Sequence, residues 1–187
     1  MRRVIRFLFL GAAMAVVLAP APAQAEGFIS PWAGVNFGDD EIEGKGSFGV
    51  TGGWMGAGVI GGEVLFGYSP DIFGDVIDNS AIDLMGNVIV GVPIGGTSGV
   101  GFRPFASAGI GLLRTHIAGI GSLGDLDENN LGINVGAGVM GFFGDHVGLR
   151  GELRYFRDIN TEDEGPGVTV DLGAFDFWRA SIGVVFR

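Results

Sequence analysis

Polar and apolar side chains alternate along most of the chain from Gly27 onward. The stretch VGLRGELRYF, residues 147–156, illustrates the rule. Val147, Leu149, Gly151, Leu153 and Tyr155 fall on one face of an extended strand, and Arg150, Glu152 and Arg154 fall on the other. Eight such segments are predicted, at 27–37, 47–55, 58–68, 81–92, 100–114, 130–142, 146–157 and 174–187. Segments of roughly ten residues with this alternation suit strands that cross a bilayer, and an even number lets the first and last strands pair and close the sheet.

The connections between segments alternate in length. Met55-Gly56-Ala57, Pro93 to Ser98 and Phe143-Gly144-Asp145 are short turns, whereas 38–46, 69–80, 116–129 and 159–173 are long links. Turns and links therefore gather at opposite ends, the asymmetry of outer-membrane barrels. Outward sets such as Ile133, Val135, Ala137 and Val139 carry no charge. A Lys or Arg facing lipid at mid-membrane costs about 2–4 kcal/mol, so a charge-free face is what lipid requires. Aromatic residues near the segment ends predict two girdles: Phe37, Phe48, Tyr68, Tyr155 and Trp178 on the loop side, and Trp54, Phe102, Phe142 and Phe186 on the turn side.

The opposite face holds the candidate interior network: Thr51, Glu63, Asn87, Arg103, Ser107, Asn134, Arg150, Glu152, Arg154 and Arg179. Glycines lie between them, and small residues make room for long charged ones in a narrow eight-stranded barrel. Glu63, Arg150, Glu152 and Arg179 fall at comparable depths, so a hydrogen-bonded plug is expected, with Glu152 pairing to Arg179.

The ends of the chain and its charge bound the setting. Residues 1–25 read as a cleaved signal peptide: Arg2, Arg3 and Arg6, an apolar run from Phe7 to Leu18, and an Ala-Gln-Ala site ending at Ala25. The barrel domain is then 26–187. The full chain has 11 basic and 21 acidic residues for a net charge of −10, and removing those three arginines takes it to −13. That balance excludes nucleic acid as a partner. With no cysteine, disulfides and cysteine metal sites are excluded as well. The mature part has no continuous apolar run of about 18 residues, so a membrane span must be built from strands.

Three stretches carry a resemblance to a known family: Arg103-Pro104-Phe105 followed by Ala108-Gly109-Ile110-Gly111; the strand from Gly148 to Phe156; and the aromatic final segment FDFWRASIGVVFR. In them the chain resembles the small OmpA/OmpX-type outer-membrane β-barrel proteins. The resemblance implies an all-β, eight-stranded, antiparallel up-and-down transmembrane β-barrel in the bacterial outer membrane, with its long loops extracellular. It also implies insertion by the outer-membrane assembly machinery, for which a C-terminal aromatic is the usual signal. Here Arg187 follows Phe186, a departure from that pattern.

The function expected is that of a monomer surrounded by outer-membrane lipids and lipopolysaccharide, with an envelope-structural or surface-interaction role and an interior plugged by polar side chains. The alternative is a narrow porin-like channel for small or apolar solutes. A soluble lipocalin-type barrel would need the reverse polarity of its two faces. Enzymatic activity is not expected: His116 and His146 fall near opposite ends, and no histidine–serine pairing is evident. Asp125 to Asn130 departs from a calcium loop, with Asn130 where glycine belongs and Gly136 where the terminal glutamate belongs. No metal and no cofactor are therefore expected.

Overall fold

A computed structural model of the chain describes residues 25–38, 44–70, 79–117, 126–159 and 176–187. The signal peptide, the acidic segments Asp39-Asp40-Glu41-Glu43 and Glu162-Asp163-Glu164, and Asp125 lie outside the described residues. Eight strands follow one another: β1 (Ala25–Phe37), β2 (Lys45–Gly56), β3 (Ile60–Pro70), β4 (Asn79–Gly91), β5 (Val100–Ile117), β6 (Leu126–Phe143), β7 (Val147–Asp158) and β8 (Asp176–Phe186). Each pairs antiparallel with its neighbour in sequence, and β1 pairs with β8 from Phe37↔Trp178 to Ile29↔Phe186, closing the barrel. Closure leaves no edge strand with unpaired backbone groups, which is what allows a sheet to cross hydrocarbon.

Two boundaries differ from the sequence reading. The β5–β6 hairpin continues to Ile117↔Leu126, so Leu126 to Asn129, read above as part of a link, is strand. Each arm is 18 residues long, whereas a bilayer needs only about 9–11. The hairpin therefore extends past the membrane on the loop side, where cross-strand bonding still satisfies its backbone. The β2–β3 turn centres on Ala57 and Gly58, both at positive φ (48° and 68°), and Val59 N–H donates to Gly56 O at 2.9 Å. This is the two-residue turn whose twist matches that of a hairpin.

The outer face is apolar between the two ends. Ile60, Val88, Val90, Val135, Leu149, Leu153, Ile182 and Val184 are exposed on it, too continuous a hydrophobic surface for water. Phe37, Phe48, Phe102, Trp178 and Phe186 are exposed, with Trp54, Tyr68 and Tyr155 half-buried on the same face. The Trp54 indole lies over Gly62, where a Cβ would meet it at 2.8 Å. Phe48 contacts Tyr68 edge-on at 5.5 Å, and Tyr155 meets Trp178 at 5.1 Å.

Phe142 is the exception among the expected girdle residues. It is 3% exposed and packs inside the barrel, while its neighbour Phe143, 69% exposed, takes the outer position. Strict alternation from Ile133 reaches Phe143, and two guanidiniums draw the Phe142 ring inward: Arg103 lies 5.5 Å and Arg187 3.9 Å from its centroid.

The interior is layered rather than uniformly polar. Trp32, Leu65, Ala81, Met85, Leu113, Phe156 and Phe177 form an apolar cluster on the loop side. Phe28, Met55, Ile89, Phe105, Met140, Phe142 and Val185 form another on the turn side. In a barrel of eight strands the inward side chains meet across the axis and pack as a core does.

Candidate functional site

The charged interior lies between and within these clusters. Alternation puts Arg150, Glu152 and Arg154 of β7 inward in succession, and Glu63 of β3 faces them from the opposite wall of the ring. Arg150 Nη2 donates to Glu63 Oε2 at 2.9 Å and to Glu152 Oε2 at 3.0 Å. Arg154 Nη2 donates to Glu63 Oε1 at 2.7 Å, to Ser107 Oγ at 3.0 Å and to Glu152 Oε1, and its Nη1 donates to Asn134 Oδ1. Asn134 then donates to Asn87 at 2.8 Å, and Asn87 donates to Glu63 at 3.3 Å. Two guanidiniums meet two carboxylates, all at most 9% exposed. Buried ions persist only when paired and hydrogen-bonded, and here the pairing crosses the whole lumen.

Seven of the ten candidate residues thus join one network: Glu63, Asn87, Ser107, Asn134, Arg150, Glu152 and Arg154. The other three do not. Thr51 is buried on the inner wall, but its hydroxyl has no protein partner, and the same holds for Ser30 Oγ, Trp32 Nε1 and Ser47 Oγ along β1 and β2. Arg103 sits at the turn side, where Nη2 meets Glu26 Oε2 at 2.7 Å.

Arg179 does not pair with Glu152. Its Nη2 donates to Asp83 Oδ1 at 2.6 Å and its Nη1 to Asp83 Oδ2 at 3.1 Å, while Nε donates to Asn36 Oδ1 at 2.8 Å and Nη2 reaches Ser69 Oγ at 3.4 Å. The rings of Phe156, Trp32 and Phe177 surround its Cζ at 4.7, 5.0 and 5.5 Å. Tilted strands place residues that are level in a linear alignment at different depths, so Arg179 reaches a carboxylate nearer the loops.

Sequence reasoning left Asp83, Asn36, Ser69, Glu26 and Arg187 out of the network. Asp83 shares the inner parity of Asn87, and Glu26 that of Phe28, so the alternation carried the signal. On the outer face, Arg114, Arg157 and Asp176 lie at the loop end, and Tyr155 Oη donates to Asp176 Oδ2 at 2.6 Å. These charges lie beyond the apolar part of that face, toward its loop end. His146 precedes the turn-side start of β7, and His116 lies near the loop end of β5. Among the described residues no group of three or more His, Asp or Glu could hold a metal ion.

A closed antiparallel barrel with an apolar exterior and buried charged residues on its inner face defines an eight-stranded membrane β-barrel protein. Residues 10–186 match the model of the outer membrane protein β-barrel domain family, and the chain belongs to that family. No curated protein sequence matches significantly.

Among solved structures, the N-terminal β-barrel domain of Pseudomonas aeruginosa OprF is 21% identical with a TM-score of 0.56, over 87% of this chain and 96% of that one. Neisserial surface protein A is 15% identical with a TM-score of 0.64, over 87% and 98%. Ail, the attachment invasion locus protein of Yersinia pestis, is 9% identical with a TM-score of 0.55, over 87% and 97%. At these identities the likeness is one of fold. The outer membrane is the location that fold and family indicate.

Proposed function

We propose that the protein is a non-conducting, monomeric barrel that anchors its long loops at the cell surface, in an envelope-structural or surface-interaction role. One observation carries this reading: Arg150 and Arg154 span the lumen to Glu63 at 2.9 and 2.7 Å, with apolar clusters on either side of that bridge. A hydrated ion would have to break at least one of these buried pairs to pass. The loops face outside and the short turns face the periplasm, with lipid and lipopolysaccharide packed around the girdles. Two proteins of similar fold, a surface protein and an attachment protein by name, agree with a display role.

The reading includes no catalytic step and no cofactor. The Ser107 hydroxyl accepts from Arg154 at 3.0 Å and serves the ion network.

The test is single-channel conductance of refolded mature protein in a planar bilayer, with heat-modifiable gel migration to confirm folding. A folded protein without steady conductance is expected. Steady conductance would replace this reading with that of a narrow channel. The wall of unpartnered Ser30, Trp32, Ser47 and Thr51 groups is the observation that favours the channel, because water along it would satisfy them.

A further inference from the structure

We propose that the turn-side mouth of the barrel is a guanidinium-binding cradle, occupied in cis by Arg187, and that this occupancy closes the mouth. The Arg187 side chain does not extend into solvent: it is 4% exposed. Its Nη2 donates to Gly99 O at 2.8 Å and to Gly144 O at 3.1 Å, and its Nε donates to Asp145 O at 3.0 Å. Its Cζ lies 3.9 Å from the Phe142 ring centroid, and Nη1 is 3.7 Å from Glu26 Oε1. Carbonyl acceptors, an aromatic ring and a carboxylate together provide what a guanidinium requires.

The cradle has structure independent of its occupant. The turn preceding β5 and the turn between β6 and β7 are tied to each other, because Gly99 N–H donates to Asp145 Oδ1 at 2.8 Å. Gly99 has a φ of +75°, which a residue with a side chain would adopt only under strain. Glu26 is held from the other side by Arg103 at 2.7 Å. Arg187 then joins both turns to the end of β8, and its backbone N–H donates to His146 O at 3.0 Å. A lysine could present its charge there but could not address the separate carbonyls with a planar fork.

These contacts give Arg187 a structural role distinct from that of the aromatic Phe186 before it. Phe186 keeps an outward girdle position, and Arg187 turns inward beneath Val185, which is fully buried. Phe186 and Arg187 therefore serve different surroundings.

The absence of native cysteine allows a clean test. In the full-length mature chain carrying Val185→Cys, the rate of modification by a water-soluble methanethiosulfonate reagent reports access to the mouth. Arg187→Ala is expected to raise that rate about tenfold or more, as a local opening. Methylguanidinium should slow it again, and methylammonium at the same concentration should not. Unchanged rates after Arg187→Ala would overturn the proposal, as would equal slowing by both cations. Heat-modifiable migration checks that the variant folds. Should Arg187→Ala not fold, Arg187→Lys serves instead, with an intermediate rate and the same selective response to methylguanidinium expected; a wild-type rate for that variant would count against the cradle.

Discussion

Arg154 and Arg179 face one another across the β7–β8 ladder, yet each buries its charge in different company. Arg154 belongs to a network in which Glu63 is shared with Arg150 and Glu152 is shared again, so that each carboxylate serves two cations. Arg179 has a single carboxylate, Asp83, gripped by both terminal nitrogens, and the rest of its surroundings are an amide, a hydroxyl and three aromatic rings. The first arrangement depends on every member, because losing one leaves an uncompensated buried charge. The second distributes the guanidinium among neutral groups that tolerate the loss of its partner better. One barrel therefore contains an interlocked ion cluster and a cushioned ion pair, separated by little more than the difference in depth between adjacent strands.

Breaking the interlocked cluster should have the largest effect. Glu63→Ala removes the carboxylate that β3 sends across the lumen to Arg150 and Arg154 and leaves those two arginines to share Glu152. A loss of about 3–5 kcal/mol is expected in denaturant unfolding of the refolded barrel, the range for a buried pair that loses one partner. Asp83→Asn should cost less, about 2 kcal/mol, because the amide oxygen still accepts from Arg179 and the rings remain. Equal losses in the two variants would erase the distinction between the tiers.

The alternation of the sequence revealed which residues face inward but not which of them meet. Arg150, Glu152 and Arg154 were legible because period two in β7 admits one assignment of faces. Partner choice depends on shear, the offset that accumulates as tilted strands close, and no local pattern encodes it. Arg179 was therefore matched to Glu152 by apparent depth, whereas the closed sheet offers it Asp83. Phe142 was misplaced for another reason: an aromatic near a strand end looks like a girdle residue, although parity with Asn134 and Met140 put it inside. Glu26 and Arg187 lay at the limits of the predicted segments, where their inner parity was legible but their partners on neighbouring turns were not.

A smaller effect tests whether the cushioned pair has room to spare. A Cβ on Gly67 would lie 2.5 Å from Asp83 Oδ1 and 2.7 Å from Arg179 Nη1. Both are ends of side chains, so Gly67→Ala should shift the pair rather than prevent folding, at a cost of about 1 kcal/mol. Neutral unfolding energetics would show that the pair relocates freely.

The smallest expected effect is a coupling close to zero. Glu152 and Arg179 share no hydrogen-bond partner, so a double-mutant cycle of Glu152→Gln and Arg179→Met should be additive within about 0.5 kcal/mol. A cycle of Asp83→Asn and Arg179→Met should not be. The route by which the first cycle could depart from additivity is specific. Arg154 lies directly across from Arg179, and neutralising Glu152 leaves more of the Arg154 charge facing it. Substantial coupling would therefore mean that the two arginines repel through the barrel interior and that the tiers act as one electrostatic unit. Additivity would mean that each arginine is neutralised within its own tier, leaving the barrel with two independent bridges across its lumen.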